Sequence, residues 1–484
     1  MGDVLTRDSQ FPKTATELRD ALNRDEVSFR EVIDYQEDLL SRNRDLNAIV
    51  EASDPKRIER RIGQDSGDAR RYSELPLYGV PISVKDIIAV KDLHLTGGSL
   101  LLQDNVAQVD APVVRRLEDG GGFVIGKTNC PEFAFGVGTS NDLFGRTYNP
   151  LNPVLSPGGS SGGEASSVAV GTSLLGIGSD YGGSIRWPAQ CTGVLGIRPT
   201  PGRVPSMGQI VGAGKSGLDG ESIYSRPSLQ SALQVPGFLA RSVADLGLAV
   251  TNASGYYFSD PTSVPVSEVL GQNLEMRGLK VAWSDGVFIA PVDSEIVDAL
   301  SKLASLLEEA GVRVVGVHDM FKGAREAFDD LRSYDDLGEI RQLARGREEM
   351  LSEGLRSILD RPIPSRDGYA DAYERAMYRR SEALQILESY PICVLPVAGA
   401  TCMNHDNKAT IGSLEVSGFD LMAHCRAVSL IGAPVLSMPI AKSRKGTPIS
   451  VQIVGKPWHE SQVLAFASVL EELGCGWQEL DSVS

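Results

Sequence analysis

The chain has 484 residues, 42% of them hydrophobic, enough apolar material for a large buried core, so it is neither disordered nor fibrous. Its 63 acidic against 47 basic residues leave a formal charge of −16, which opposes tight binding to nucleic acid or to an anionic membrane. Small neutral substrates fit that balance better. No apolar run approaches the roughly 20 residues that span a bilayer, so no membrane association is expected. MGDVLT fits the loose myristoylation pattern, which is too short to weigh against this. The cysteines at 130, 191, 393, 402, 425 and 475 lack C-x-x-C spacing, and no secretory apolar region precedes the first helix. Disulfides and structural zinc are therefore not expected, and the cytoplasm is the expected compartment.

In chain order, Thr14 with Glu17 and Ser28 with Glu31 form two capping boxes, each opening a helix. In the second helix Phe29, Val32, Ile33, Leu39 and Leu40 fall on one stripe. Residues 1–70 thus read as a helical segment packed on a larger unit spanning 71–484. Short apolar runs then alternate with helical ones: VPISV, PVVRRL, FVIGKT, a helix over 164–170, LLGIGS and VLGIRPT. That order predicts an α/β fold with a sheet covered by helices on both faces. After a loop-rich stretch near 200–236 come a helix at SVADLGLAV, a strand at LKVAWS, a helix over 293–310 closed by Gly311, and a strand at VRVVGV. Residues 319–388 are charged and helical in composition and read as an outer layer or lid. The strands YPICVLPV, APVLSMPI and PISVQIVG follow, with a final helix at ESQVLAFASVLEELG. Strands at both ends of the chain predict one central, mixed sheet in one continuous fold.

The stretch SPGGSSGG, residues 156–163, sets two serines between glycine pairs. A flexible linker is excluded by the helix-forming and apolar residues that follow. A phosphate loop is suggested by GAGKS at 212–216, but the glycine that should open it would stand at 209, which is Gln. GIGSDYG at 176–182 likewise places its last glycine one position late for a dinucleotide fingerprint. Gly158–Gly162 satisfies G-x-S-x-G with His459 late in the chain, yet NPLNPVLSP carries prolines at 150, 153 and 157 and cannot supply the buried strand that leads into a nucleophile elbow. The five histidines, at 94, 318, 405, 424 and 459, show no local partner pattern and read as ordinary surface or core residues.

What remains is serine chemistry without histidine. Ser184 follows Tyr181, Gly182 and Gly183, and successive N–H groups in a glycine-permitted turn can converge on a developing oxyanion. Ser184 would be the attacking hydroxyl. A lysine buried away from other charges can act as its base, because desolvation disfavours the ammonium. Lys85, ending the run YGVPISVK, and Lys127, in VIGKTN, qualify equally on pattern.

These segments together resemble the amidase signature family: GVPISVKD (79–86), GGFVIGKTNCPEF (121–133), NPLNPVLSPGGSSGGEASSVAVG (149–171), GSDYGGSIRWPAQCTGVLGIRPTPGRVP (178–205) and FLARSVADLGL (238–248). The similarity is dense over roughly 77–250 and resumes in GAPVLSMPIAKSRKGTPISVQIVG at 432–455. The spacing of Lys85, Ser160 and Ser184 is also similar to that of the family. The resemblance implies a Ser–Ser–Lys triad with Ser184 as nucleophile, Ser160 as proton bridge on a cis Gly159–Ser160 peptide, and Lys85 as base. It further implies an acyl-enzyme, backbone donors at Tyr181, Gly182, Gly183 and Ser184, and supporting roles for Ser161, Asp180 and Arg186. It implies no cofactor and no metal.

Tyr181 is bulky for such a loop, and Phe238 stands where members often have proline. Residues 133–141 and 319–388 are expected to border the substrate pockets. The function implied is a stand-alone amidase acting on a small carboxamide or anilide, with esters or carbamates as side substrates. One alternative is the glutaminase A subunit of the tRNA-dependent amidotransferase. Another is an inactive amidase-like binding protein. A homodimer is compatible with the sequence.

Overall fold

A computed structural model describes residues 11–58, 75–210, 232–266, 274–335, 337–362 and 365–478. The GAGKS stretch and the myristoylation pattern lie outside these residues. The two capping boxes are present, each with the serine or threonine oxygen receiving an N–H and the glutamate reaching back. They open helices α1 (Ala15–Asn23) and α2 (Phe29–Arg42). The chain does not stay helical to residue 70, however. Ile49–Ala52 forms an edge strand, β1, antiparallel to β3 (Phe123–Thr128). Four residues after the helical stretch are too short to show a period of two in the sequence, and pairing with β3 decides their conformation.

The remaining strands of the main sheet are β2 (Pro81–Lys85), β4 (Leu175–Asp180), β5 (Leu195–Arg198), β6 (Val235–Ala240), β7 (Lys280–Trp283), β8 (Arg313–Gly316), β9 (Ile392–Pro396), β10 (Val435–Lys442) and β11 (Pro448–Gly455). Their spatial order is β1-β3-β2-β4-β6-β5-β10-β11-β9-β7-β8, eleven strands in one sheet. The β3-β2-β4 and β9-β7-β8 pairs are parallel and the central pairs antiparallel. One mixed sheet therefore joins residue 49 to residue 455, as the strands at both chain ends predict.

Strand β6 falls at the end of the stretch read as loop. It pairs along β4 and contacts β5 only from Phe238 to Ala240, so Pro236, which cannot donate to a ladder, lies where one side has no strand neighbour. A Pro-Gly dipeptide hides such a strand from pattern reading.

Helices pack on both faces. Those that matter to the site are α3 (Pro112–Asp119), α4 (Gly162–Ala169), α5 (Arg186–Thr192) and α6 (Val243–Ala253). Farther on come α7 (Ser294–Glu309) and four outer helices: α8 (Ala324–Arg332), α9 (Gly338–Ala344), α10 (Glu353–Leu359) and α11 (Arg366–Ser389). After these follow α12 (Gly418–Leu421), α13 (Ala423–Ile431) and α14 (Glu460–Glu472). Helix α4 is buried along its whole length and lies on β2, β3 and β4. Its small side chains permit this: a Cβ at Gly163 would fall 2.5 Å from the Asn129 carbonyl oxygen. Among the described residues no helix is long and apolar enough to cross a membrane. All six cysteines are free thiols.

Candidate active site

Register decides between the two lysines. In the parallel β2–β3 pair, Lys127 stands opposite Val84 and Lys85 opposite Thr128, a one-residue offset. Side chains alternate between sheet faces, so the two lysines point to opposite faces. Lys127 is buried with its Nζ donating to the carbonyls of Ile88 (2.6 Å) and His94 (3.1 Å), and 3.5 Å from Asp86 Oδ1. Burial pushes its pKa down, as it does for Lys85, but here a carboxylate and two carbonyls, which can only accept, all oppose that shift and favour the ammonium; we read Lys127 as a structural cation.

Lys85 is equally buried but meets hydroxyls. Its Nζ donates to Ser160 Oγ at 2.7 Å, Ser161 Oγ at 3.0 Å and Ser179 Oγ at 3.0 Å. Burial pushes its pKa down, against the opposing attraction of Glu164, Cys130 and Asp180. A lysine in this setting is readily neutral, and its neighbours can each pass or take a proton.

The serines arrive from two turns. Ser160 and Ser161 end the glycine-rich stretch just before α4, and the Gly159–Ser160 peptide is cis. Asn149 holds this stretch through its side-chain N–H groups, which donate to the Ser156 and Cys191 carbonyls. Ser184 follows β4, and its carbonyl accepts the Ser161 N–H at 3.0 Å, tying the two turns together. Gly183 has φ +122°, and a Cβ there would fall 2.5 Å from Cys425 Cβ, so glycine is required.

Asp180 anchors the second turn. It accepts the N–H groups of Gly183 (2.8 Å) and Ile185 (3.1 Å) and pairs with Arg186 at 2.8 Å. Burial alone would raise its pKa, but Arg186 and Arg198 hold the carboxyl well below the usual range. Arg186 in turn donates to the Cys425 carbonyl, Gln452 Oε1 and Ser429 Oγ. The Gly183 N–H, read as an oxyanion donor, is taken by Asp180, because its positive φ turns the amide inward. The N–H groups of Tyr181, Gly182 and Ser184 meet no acceptor among the described residues.

A cavity of about 600 Å³ opens over these residues, and Ser160, Ser179, Tyr181, Gly182 and Ser184 form its floor. Residues 134–137 border one side, within the stretch expected there. Phe328, Arg332, Asp335, Leu337, Arg341, Ile358 and Arg361, from the outer helical layer, form the opposite wall. The Tyr181 ring packs on Phe328 with centroids 5.1 Å apart, and its hydroxyl donates to Asp335 at 2.9 Å. Tyr181 thereby narrows the cavity. None of the five histidines lines it.

Two participants escaped the sequence reading. Ser179 is the third hydroxyl on Lys85, and its place on β4, one residue before Asp180, is the only hint. Glu164, inside α4, is fully buried, and among the described residues no other residue donates a hydrogen bond to either carboxyl oxygen. Burial pushes its pKa up to about 8 against the attraction of Lys85. Nothing in GGEASS singles it out.

The family profile described as Amidase matches residues 32–464. The A subunit of glutamyl-tRNA(Gln) amidotransferase from Heliobacterium modesticaldum is 30% identical over 500 residues, covering 96% of this chain and 98% of that one. Among solved structures, a bacterial aryl acylamidase of the amidase signature family superposes with a TM-score of 0.79 at 23% identity, over 95% of this chain and 96% of that one. A 6-aminohexanoate cyclic dimer hydrolase, solved with substrate, superposes with a TM-score of 0.81 at 23% identity, over 95% and 96% of the two chains. The fold and the profile together define the class, an amide-hydrolysing enzyme. The chain belongs to the amidase signature family.

Proposed function

We propose that the protein is a stand-alone amidohydrolase that cleaves a carboxamide or anilide C–N bond through an acyl-enzyme on Ser184. The observation that carries this reading is the 2.7 Å contact between a buried Lys85 Nζ and Ser160 Oγ, at the floor of a cavity that Ser184 shares. Neutral Lys85 takes the Ser160 proton while Ser160 takes that of Ser184, whose oxygen bonds to the amide carbon. The carbonyl oxygen becomes an oxyanion received by the N–H groups of Tyr181, Gly182 and Ser184. Reversal of the relay delivers the proton to the amide nitrogen, the C–N bond breaks and the amine leaves. Water then cleaves the ester by the same relay. Ser161 and Ser179 hold the Lys85 nitrogen in line, and Asp180 with Arg186 fixes the turn that presents Ser184. Esters and carbamates are side substrates, since either carbonyl can be attacked in the same way. The free thiols favour a cytoplasmic setting.

A second reading, the glutaminase subunit of an amidotransferase, is favoured by the names of the curated relatives at about 30% identity. One experiment separates the two. Purified protein is given amides, anilides, esters and carbamates without partner or ATP. Release of acid and amine by the wild type, and none by Ser184→Ala, supports the proposal. Turnover confined to glutamine, or appearing only with partner subunits, supports the second reading. Equal rates for Ser184→Ala and wild type would end both.

A further inference from the structure

The wall of the cavity carries a charge pattern that the chain as a whole does not. The protein bears −16, yet four arginines, Arg332, Arg341, Arg361 and Arg426, line the cavity against two aspartates, Asp329 and Asp335. A strongly acidic chain does not concentrate arginines over its reactive serines by composition alone.

Bookkeeping of partners isolates two of the four. Arg426 is committed to Asp329 through Nε–Oδ1 at 2.6 Å and Nη2–Oδ2 at 3.1 Å, and Asp329 also takes Arg325 Nε at 3.4 Å. Arg341 donates to the carbonyls of Leu359 and Arg361. Asp335 accepts the Tyr181 hydroxyl. Arg332 has no carboxylate within ion-pair distance among the described residues; its guanidinium rests over the Phe419 ring, 5.3 Å from the centroid, and the Arg426 guanidinium lies 3.8 Å from the same centroid. Arg361, exposed at the rim, likewise has no ion-pair partner among the described residues. A ring face holds a guanidinium in place without consuming its N–H donors, which leaves the fork free for a planar anion.

Of the two lining carboxylates, Asp329 is taken up by Arg426 and Arg325, whereas Asp335 accepts a neutral hydroxyl and keeps its charge, so the cavity wall holds more guanidinium than carboxylate charge. We infer that the natural substrate is an amide that carries a carboxylate, with Arg332 as the residue that selects it and Arg361 assisting at the rim. This rests on the amidase reading above and narrows its substrate class.

The test uses substrates of matched length: valeramide (neutral), glutaramate (one carboxylate) and glutamine (carboxylate plus ammonium), with acetanilide against 4-acetamidobenzoate as a longer pair. In kcat/KM the carboxylate-bearing member of the better-used pair is expected to lead by about tenfold or more, as a charge-assisted contact supplies. Glutamine, which also carries the carboxylate, should likewise lead valeramide. In Arg332→Met the carboxylate preference should fall at least about fivefold; Arg332→Lys, which keeps the charge and loses the fork, should retain part of it. Arg361→Met should reduce the preference less, because solvent screens that site.

Calorimetry on Ser184→Ala with the same compounds measures the binding preference without chemistry. If no compound is turned over but the carboxylates bind selectively and lose that selectivity in an added Arg332→Met, the assignment of Arg332 as a carboxylate-binding residue stands and the amidase reading falls. Neutral members equal to or better than the carboxylates, or a preference unmoved by Arg332→Met, would overturn the inference while leaving amide hydrolysis intact.

Discussion

The two faces of the sheet at the β2–β3 pair hold two lysines with the same burial and opposite chemistry. On one face Lys127 is surrounded by a carboxylate and carbonyl oxygens, groups that can only accept and so fix the charge. On the other, Lys85 is surrounded by hydroxyls, which donate as well as accept and so tolerate its neutral form. Burial alone therefore does not make a base. What separates a structural cation from a proton acceptor is whether its partners are indifferent to the proton.

The largest effects should come from the hydroxyl face. Ser184→Ala should abolish turnover, and Lys85→Met and Ser160→Ala should lower kcat/KM by about 10⁴-fold or more, since members of a relay act as a unit. The melting temperature of Lys85→Met should hold or rise, because among the described residues no carboxylate lies within ion-pair distance of Lys85 to be left stranded. Lys127→Met should do the reverse. It strands the buried Asp86, which should cost about 3–5 kcal/mol in chemical denaturation, while the folded fraction keeps its kcat. Similar stability losses in both variants, or similar activity losses, would erase the distinction.

Acidification provides the next contrast. Because burial holds the Lys85 pKa below its ordinary 10.5, the neutral form extends to lower pH. As pH falls through the folded-state pKa, Lys85 becomes an ammonium and can no longer accept the Ser160 proton. With an anilide that does not ionise, kcat/KM should be flat at high pH and drop on the acid side.

Glu164→Gln sharpens this more gently. It removes an attraction that favours the ammonium of Lys85, so the acid limb should move to lower pH. It also removes a titration: Glu164 holds its proton up to about 8 in the folded state, against about 4.5 otherwise. The folded state therefore binds more protons between those values, and wild-type stability falls as pH rises across them. The gain in melting temperature of Glu164→Gln over wild type should be small near pH 5 and largest at pH 8.

How much of this was legible beforehand follows from the physics of each feature. Capping boxes, apolar runs and turn glycines are local, and the helices and most strands they predict are present. Lys85 and Lys127 could not be ranked by pattern, because the deciding quantity is the register between two strands. Strand β6 was hidden by Pro236-Gly237, and β1 by its brevity. Glu164 and Arg332 owe their settings to residues far away in sequence, Lys85 in one case and Phe419 in the other. The segments that resemble the family pointed to Ser160 and Ser184 because glycine spacing is itself a backbone constraint, whereas the arginine-lined wall comes from helices whose facing no local pattern fixes.

The grip of Arg186 reaches forward to Cys425, Ser429 and Gln452, more than 200 residues beyond the serine it braces. A nascent chain emerging from the ribosome thus carries Lys85, Ser160 and Ser184 long before the brace exists. Until the final hairpin is translated, the turn bearing Ser184 has its local contacts with Asp180 and not the complete brace. The site therefore takes its finished form only when the last strands of the sheet are in place.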